Sequence, residues 1–169
     1  MNIFTSELIG TAILIVLGNG VVANVVLSKT KGHNSGWIVI TFGWAMAVFA
    51  GVFISSKASG AHLNPAVTLA LVWLAKIEPG LILQYIGGQM LGAMLGSLLV
   101  WLIYKQHYSQ TEDTVAKLAT FSTIPAIRNP FHNLLTETLA TFIFILAVLF
   151  IIAPDNSLGA LDALPVALL

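Results

Sequence analysis

The sequence predicts an all-α membrane protein: a bundle of apolar spans built as an inverted repeat, with one re-entrant half helix. Three observations carry this. The 169 residues are 57% hydrophobic and only 8% charged, the balance of a multi-span membrane chain and not of a soluble domain. The apolar residues fall into long runs divided by polar segments. One small, polar stretch, Ser59-Gly60-Ala61-His62-Leu63-Asn64-Pro65-Ala66-Val67-Thr68, lies between two of those runs and opens a helix too short to cross a bilayer.

The composition also excludes. Seven basic and seven acidic side chains give zero net charge, which argues against nucleic acid as a partner. There is no Cys, so disulfides, thiol chemistry and Cys-based metal sites are out of reach. The first apolar run is long and has neither a basic leader nor a cleavage site, so it reads as a retained span and not as a signal peptide.

In chain order, the first span runs from Ile3 to Leu27 and contains Glu7, Gly10, Gly18 and Gly20. A polar loop with Lys29, Lys31, His33 and Asn34 follows. The second span covers Gly36 to Ile54, with Trp37 at an interface where amphipathic aromatics gather. Ser55 to Leu63 leads into the polar stretch. The third span covers Leu81 to Tyr104; its Gly88, Gly92 and Gly96 recur every four residues, a spacing that lets backbones approach closely. Lys105 to Arg128 is a long polar connection. The fourth span covers Phe131 to Ile152 and is broken by Pro154, Asp155 and Asn156. A fifth apolar segment starts at Leu158, and fewer residues remain than the ~20 a span needs. The chain is therefore expected to end within its fifth span, as part of a longer protein.

Phe4-Thr5-Ser6-Glu7-Leu8-Ile9-Gly10-Thr11 resembles Leu134-Leu135-Thr136-Glu137-Thr138-Leu139-Ala140-Thr141. Three spans separate the starts of the two copies, and an odd number inverts the second copy in the membrane. Inverted repeats with broken helices place the working site at the midplane. Residues 1–130 then form the first repeat, three spans plus the half helix, with its outer loop. Residues 131–169 begin a second, incomplete one.

Asn64 is a good helix N-cap, and Pro65 suits the first helical position because its missing N–H has no helical partner there. Lys76, Glu78, Pro79 and Gly80 end the helix early. At about 1.5 Å per residue it covers roughly half of a hydrocarbon core about 30 Å thick. Irregular backbone at that depth is tolerated only beside a water-filled cavity or inside protein.

The ten residues from Ser59 to Thr68 resemble the first signature loop of the aquaporin (major intrinsic protein) family. Ala119-Thr120-Phe121-Ser122-Thr123 with Pro125, and Tyr104 at the end of the third span, resemble the glycerol-facilitator subtype. The resemblance implies an aquaporin-like fold, a homotetramer and a cytoplasmic N-terminus. That orientation puts Lys29, Lys31, Lys105, Lys117 and Arg128 outside and only Lys57 and Lys76 inside, the reverse of the positive-inside rule. The signature and the inverted repeat are the more specific signals.

Intramembrane carboxylates call for a function and a partner. Glu7 and Glu137 read either as proton relays or as braces accepting hydrogen bonds from loop N–H groups; the resemblance implies braces. Gln89 reads as a helix-packing amide or, by resemblance, as a third loop support. His62 reads as a loop-shaping residue, with a metal site disfavoured because no second His or Cys stands at ligand spacing. The carbonyls of Gly60, Ala61, His62 and Leu63 should face a pore. Asn64, Pro65 and Ala66 bring the half helix's positive end to the midplane, where the Asn64 amide donates to a passing oxygen and cations are rejected. Leu14 is a candidate for the apolar wall or plain core. With Gly43-Trp44-Ala45-Met46-Ala47 matched to glycerol facilitators, the resemblance implies that Ile40 stands at the second-span filter position, a departure from the large aromatic found there in that subtype. Trp44, on the same helix face, reads as a filter ring or as packing.

The expected function is passive passage of small neutral solutes, glycerol with water, through a multi-pass protein of the plasma membrane surrounded by lipid. A water or undissociated lactic acid channel of the same family is the alternative, and a proton-coupled secondary transporter using Glu7 and Glu137 is the alternative from another class. No enzyme, cofactor or metal is expected.

Overall fold

The computed structural model describes residues 1–151 and 159–169. Seven helices are described: α1 Ile3–Val26, α2 Trp37–Ser59, α3 Pro65–Trp73, α4 Ile82–Gln110, α5 Thr114–Ala119, α6 Pro130–Phe150 and α7 Leu164–Ala167. No strand occurs among the described residues. Among the described residues, four helical segments are long and apolar enough to cross a membrane, Ile3–Val26, Trp37–Ser59, Pro79–Gln110 and Pro130–Phe150.

Helix α1 is the hub, packed between α2 and α4. Small residues set these contacts. A Cβ at Gly88 would lie 2.5 Å from the Phe4 carbonyl oxygen, at Gly92 2.4 Å from that of Leu8, and at Gly96 2.8 Å from that of Ala12. Both numberings rise together in steps of one helical turn, so α4 runs parallel to α1 with its glycine ridge on the α1 backbone. Against α2 the numbering runs oppositely: Gly10 meets Ser55, and Gly18 meets Trp44. The first three spans therefore alternate up, down, up. Ser6 and Ser55 lock the α1–α2 contact reciprocally. Ser6 Oγ donates to the Ser55 carbonyl at 3.2 Å, and Ser55 Oγ donates to the Ser6 carbonyl at 3.1 Å.

Two spans run longer than the hydropathy pattern suggests. Helix α2 continues past Ile54 to Ser59, because Ser55 and Ser59 find partners on α1 and no breaker intervenes before Gly60, which caps the helix at φ 80°. Helix α4 continues past Tyr104 to Gln110. There Lys105 Nζ lies 5.3 Å from the Trp101 ring centroid, and His107 Nδ1 lies 3.1 Å from the Ser28 carbonyl oxygen. The polar connection after it is not featureless. Asp113 caps the short α5, accepting from Val115 N at 2.8 Å and Ala116 N at 3.1 Å.

Helix α6 lies outside the three-span core and touches α3; none of its residues is buried. The break at Pro154, Asp155 and Asn156 lies outside the described residues. The described part of the fifth apolar segment starts with a 3₁₀ turn, Gly159–Ala163, followed by the single-turn α7. Both pack on α2, where Ala163 and Ala167 are buried. Asp162 and Pro165 sit within this short stretch and suit a turn and a helix start better than a continuous apolar run.

Candidate solute path at the half helix

Helix α3 begins where the cap chemistry places it. Asn64 has extended backbone, and its Oδ1 accepts from Ala66 N at 2.8 Å. Pro65 occupies the first turn. The helix ends after Trp73 with Ala75 at φ 53°, while Lys76 N donates to the Leu71 carbonyl, a left-handed C-terminal closure.

The loop that enters α3 is strained. Gly60, Ala61 and Leu63 all have positive φ, of 80°, 52° and 50°. For Ala and Leu this conformation is costly unless the surroundings hold it. Glu7, fully buried on α1, does much of that holding. Its Oε1 accepts from Ser59 Oγ at 2.5 Å and from His62 N at 3.1 Å. Its Oε2 accepts from Leu63 N at 2.8 Å and from Gln89 Nε2 at 2.8 Å. Ser59 Oγ in turn accepts from Ala61 N at 3.1 Å. The N–H groups of residues 61, 62 and 63 are thus all turned toward this carboxylate-centred cluster. Every peptide described is trans, so the carbonyls paired with those N–H groups, on Gly60, Ala61 and His62, point the opposite way.

A second tier fixes the His62 ring. His62 Nδ1 lies 3.1 Å from Thr68 Oγ1, which also accepts from Gln89 Nε2 at 3.1 Å. The imidazole stacks on Tyr85, with centroids 4.0 Å apart and planes within 10°. Tyr85 OH donates to the Ser59 carbonyl at 2.7 Å. Tyr85 and Gln89 stand one turn apart on α4, and the glycine contacts with α1 carry both to the loop. The sequence does not single out Tyr85, and Ser59 and Thr68 enter it only as the ends of the signature stretch, with no role of their own. The available signal was helical spacing: Tyr85 shares a face with Gln89, and a buried phenol in an apolar span must find an acceptor.

The other expected site residues are placed as follows. Leu14 packs at the α1–α2 contact, its Cβ 3.3 Å from where a Gly51 Cβ would stand. Ile40 is buried with Val22 and Val25, against Val21, Val26 and Trp44. It also lines a half-open cavity of about 460 Å³ bordered by His33, Asn34, Trp37, Thr111 and Asp113. Trp44 lies over Gly18, its ring 2.4 Å from a notional Cβ there, so packing against α1 accounts for it. Glu137 is exposed, lines an open groove with Thr138, Thr141, Phe142 and Ile145, and meets no loop among the described residues, whereas Glu7 is enclosed by α2, α4 and the loop. No cluster of three or more His, Cys, Asp or Glu able to hold a metal occurs among the described residues.

The profile described as Major intrinsic protein matches residues 1–169. The chain is 50% identical over 149 residues to the probable glycerol uptake facilitator protein of Thermotoga maritima, covering 88% of this chain and 64% of that one. It is 53% identical over 148 residues to the glycerol uptake facilitator protein of Streptococcus pneumoniae strain R6, covering 88% and 63%. The fold resembles the X-ray structure of the aquaglyceroporin from Plasmodium falciparum, with a TM-score of 0.75 and 30% identity over 98% of this chain and 67% of that one. The chain thus spans a little under two thirds of the length of the two facilitators it matches. With its multi-pass apolar helices and its capped half helix, this chain belongs to the major intrinsic protein family.

Proposed function

We propose that the protein carrying this chain is a passive transmembrane channel for small neutral solutes, most suited to glycerol and water. The supporting observation is the clamped loop. Three consecutive N–H groups are held by Glu7 and Ser59, which leaves the carbonyls of Gly60, Ala61 and His62 as a row of acceptors leading to the N-terminus of α3. A neutral solute exchanges its hydrogen bonds along such a row. At the row's end, Asn64 uses Oδ1 for the cap, so its Nδ2 is the donor offered to a solute oxygen. The positive end of α3 repels cations that have lost hydration. Leu14 and the apolar cluster around Ile40 supply a wall for carbon backbones, and nothing in the site makes or breaks a covalent bond. The named function of the two facilitators, at half identity, supports glycerol over lactic acid or water alone. The plasma membrane, a homotetramer and a second, inverted repeat beginning near residue 131 complete the reading.

A relay role for Glu7 finds no support in the geometry. Both carboxylate oxygens are already engaged by two donors each. The function is tested with the intact protein in proteoliposomes, by stopped-flow light scattering after a glycerol or a sucrose gradient. Faster volume change than in empty vesicles is expected with both, and no acceleration with glycerol would overturn the glycerol reading.

A further inference from the structure

We infer that Tyr85 is a positioning residue for the carbonyl row, and that it tunes how well the path takes a polyol relative to water. The inference rests on the channel reading. Ser59 is the last residue of α2, so its carbonyl is one of the acceptors a helix end leaves without an intrahelical donor. The Tyr85 hydroxyl supplies that donor at 2.7 Å, in a site where Ser59 and Tyr85 are 6% and 5% exposed. The N–H of the same Ser59–Gly60 peptide donates to the Ser56 carbonyl at 3.0 Å, so with Tyr85 the peptide is held at both its N–H and its carbonyl just before Gly60 turns the chain at φ 80°. Two residues on, the Tyr85 ring lies parallel to the His62 imidazole at 4.0 Å. One side chain therefore grips the loop on both sides of the Gly60 and Ala61 carbonyls. Glu7 and Ser59 hold the loop from its N–H side, and Tyr85 holds it from the helix-end carbonyl and the imidazole face.

The consequence differs by solute. Water exchanges one or two hydrogen bonds at a time and tolerates a displaced acceptor. A polyol carries several hydroxyls on one carbon chain and needs successive acceptors in register. Releasing the Ser59 carbonyl therefore costs the polyol more than it costs water.

The test compares wild type, Tyr85→Phe and Tyr85→Leu as intact proteins in proteoliposomes, and reads the ratio of glycerol to water permeability. This ratio does not depend on how much protein is folded. Tyr85→Phe keeps the ring and loses the bond to Ser59; its ratio should fall about fivefold, the worth of one hydrogen bond, with water permeability nearly unchanged. Tyr85→Leu loses the stack too, and its ratio should fall further. A purely structural role would lower both fluxes in proportion, together with the melting temperature. An unchanged ratio in Tyr85→Phe, with wild-type vesicles conducting, overturns the role given to Tyr85 and leaves the channel reading intact. Wild-type vesicles that swell no faster than empty ones overturn the channel reading and the inference with it.

Discussion

Glu7 Oε2 accepts the Leu63 amide at 2.8 Å across a sequence separation of 56 residues, and this bond ties the second turn of a bilayer-length helix to a loop in left-handed backbone. A buried carboxylate with four donors around it is well matched. Gln at the same position keeps one acceptor oxygen but brings two donors to a place already crowded with donors. Glu7→Gln should therefore lower stability by about 1–3 kcal/mol for the mispaired group. Thermal unfolding of the purified intact protein checks this. A Glu7→Gln protein as stable as wild type would contradict the brace.

The glycine ridge of α4 gives a second expectation. A Cβ at Gly92 would press on the Leu8 carbonyl oxygen at 2.4 Å, with backbone on both sides unable to yield. Gly92→Ala should force α1 and α4 apart at a cost of about 1–3 kcal/mol. Gly20 has open space around it on the same α1, and Gly20→Ala should be neutral or mildly stabilising. Comparing the two melting temperatures isolates the packing effect from any general effect of adding a methyl group.

Asn64 separates cap from conduction. Asp is as good an N-cap as Asn, so Asn64→Asp should keep the bond from Ala66 N and the start of α3. It removes the amide donor and adds a negative charge beside the positive helix end. Glycerol flux should fall severalfold, and proton or cation leak should rise as the barrier weakens. Swelling and leak measured on the same vesicles check both. Unchanged swelling in a folded variant would take Asn64 off the path.

Thr68 joins three groups: fully buried on α3, its Oγ1 accepts from Gln89 Nε2, meets His62 Nδ1 and lies within hydrogen-bond reach of the Asn64 carbonyl. Thr68→Val preserves shape but leaves the His62 nitrogen and one Gln89 proton without that partner. A loss of about 1–3 kcal/mol follows for the stranded polar groups, read by chemical or thermal unfolding. A fully stable Thr68→Val would mean that the second tier adds nothing to the loop's hold.

Local chemistry was legible in the sequence where one residue type has one physical use. Asn64-Pro65 announced the start of α3, and the four-residue glycine spacing announced a close helix contact without saying that α1 makes it. Glu7 in an apolar span announced a buried acceptor. Boundaries that depend on tertiary partners were not legible. Ser55 and Ser59 look like the end of an apolar run, and their bonds to Ser6 and Glu7, which the sequence does not display, help carry the helix on to Ser59. Tyr85 was missed because hydropathy treats it as one more residue of a span. Its meaning lies in a carbonyl 26 positions away in sequence. Glu137 carries the same local motif as Glu7, but a brace is read only against the loop it holds, and no such loop lies beside α6 among the described residues.

The central claim is that solute moves down its own gradient through a fixed path, with no carboxylate cycling protons. Glycerol uptake into proteoliposomes of the intact protein, measured with and without an imposed pH difference, tests it most directly. The account predicts uptake that rises in proportion to outside glycerol through the millimolar range, is indifferent to the pH difference, and stops when inside and outside concentrations are equal. Accumulation of glycerol above its outside concentration, driven by the proton gradient and abolished by Glu7→Gln, would contradict it.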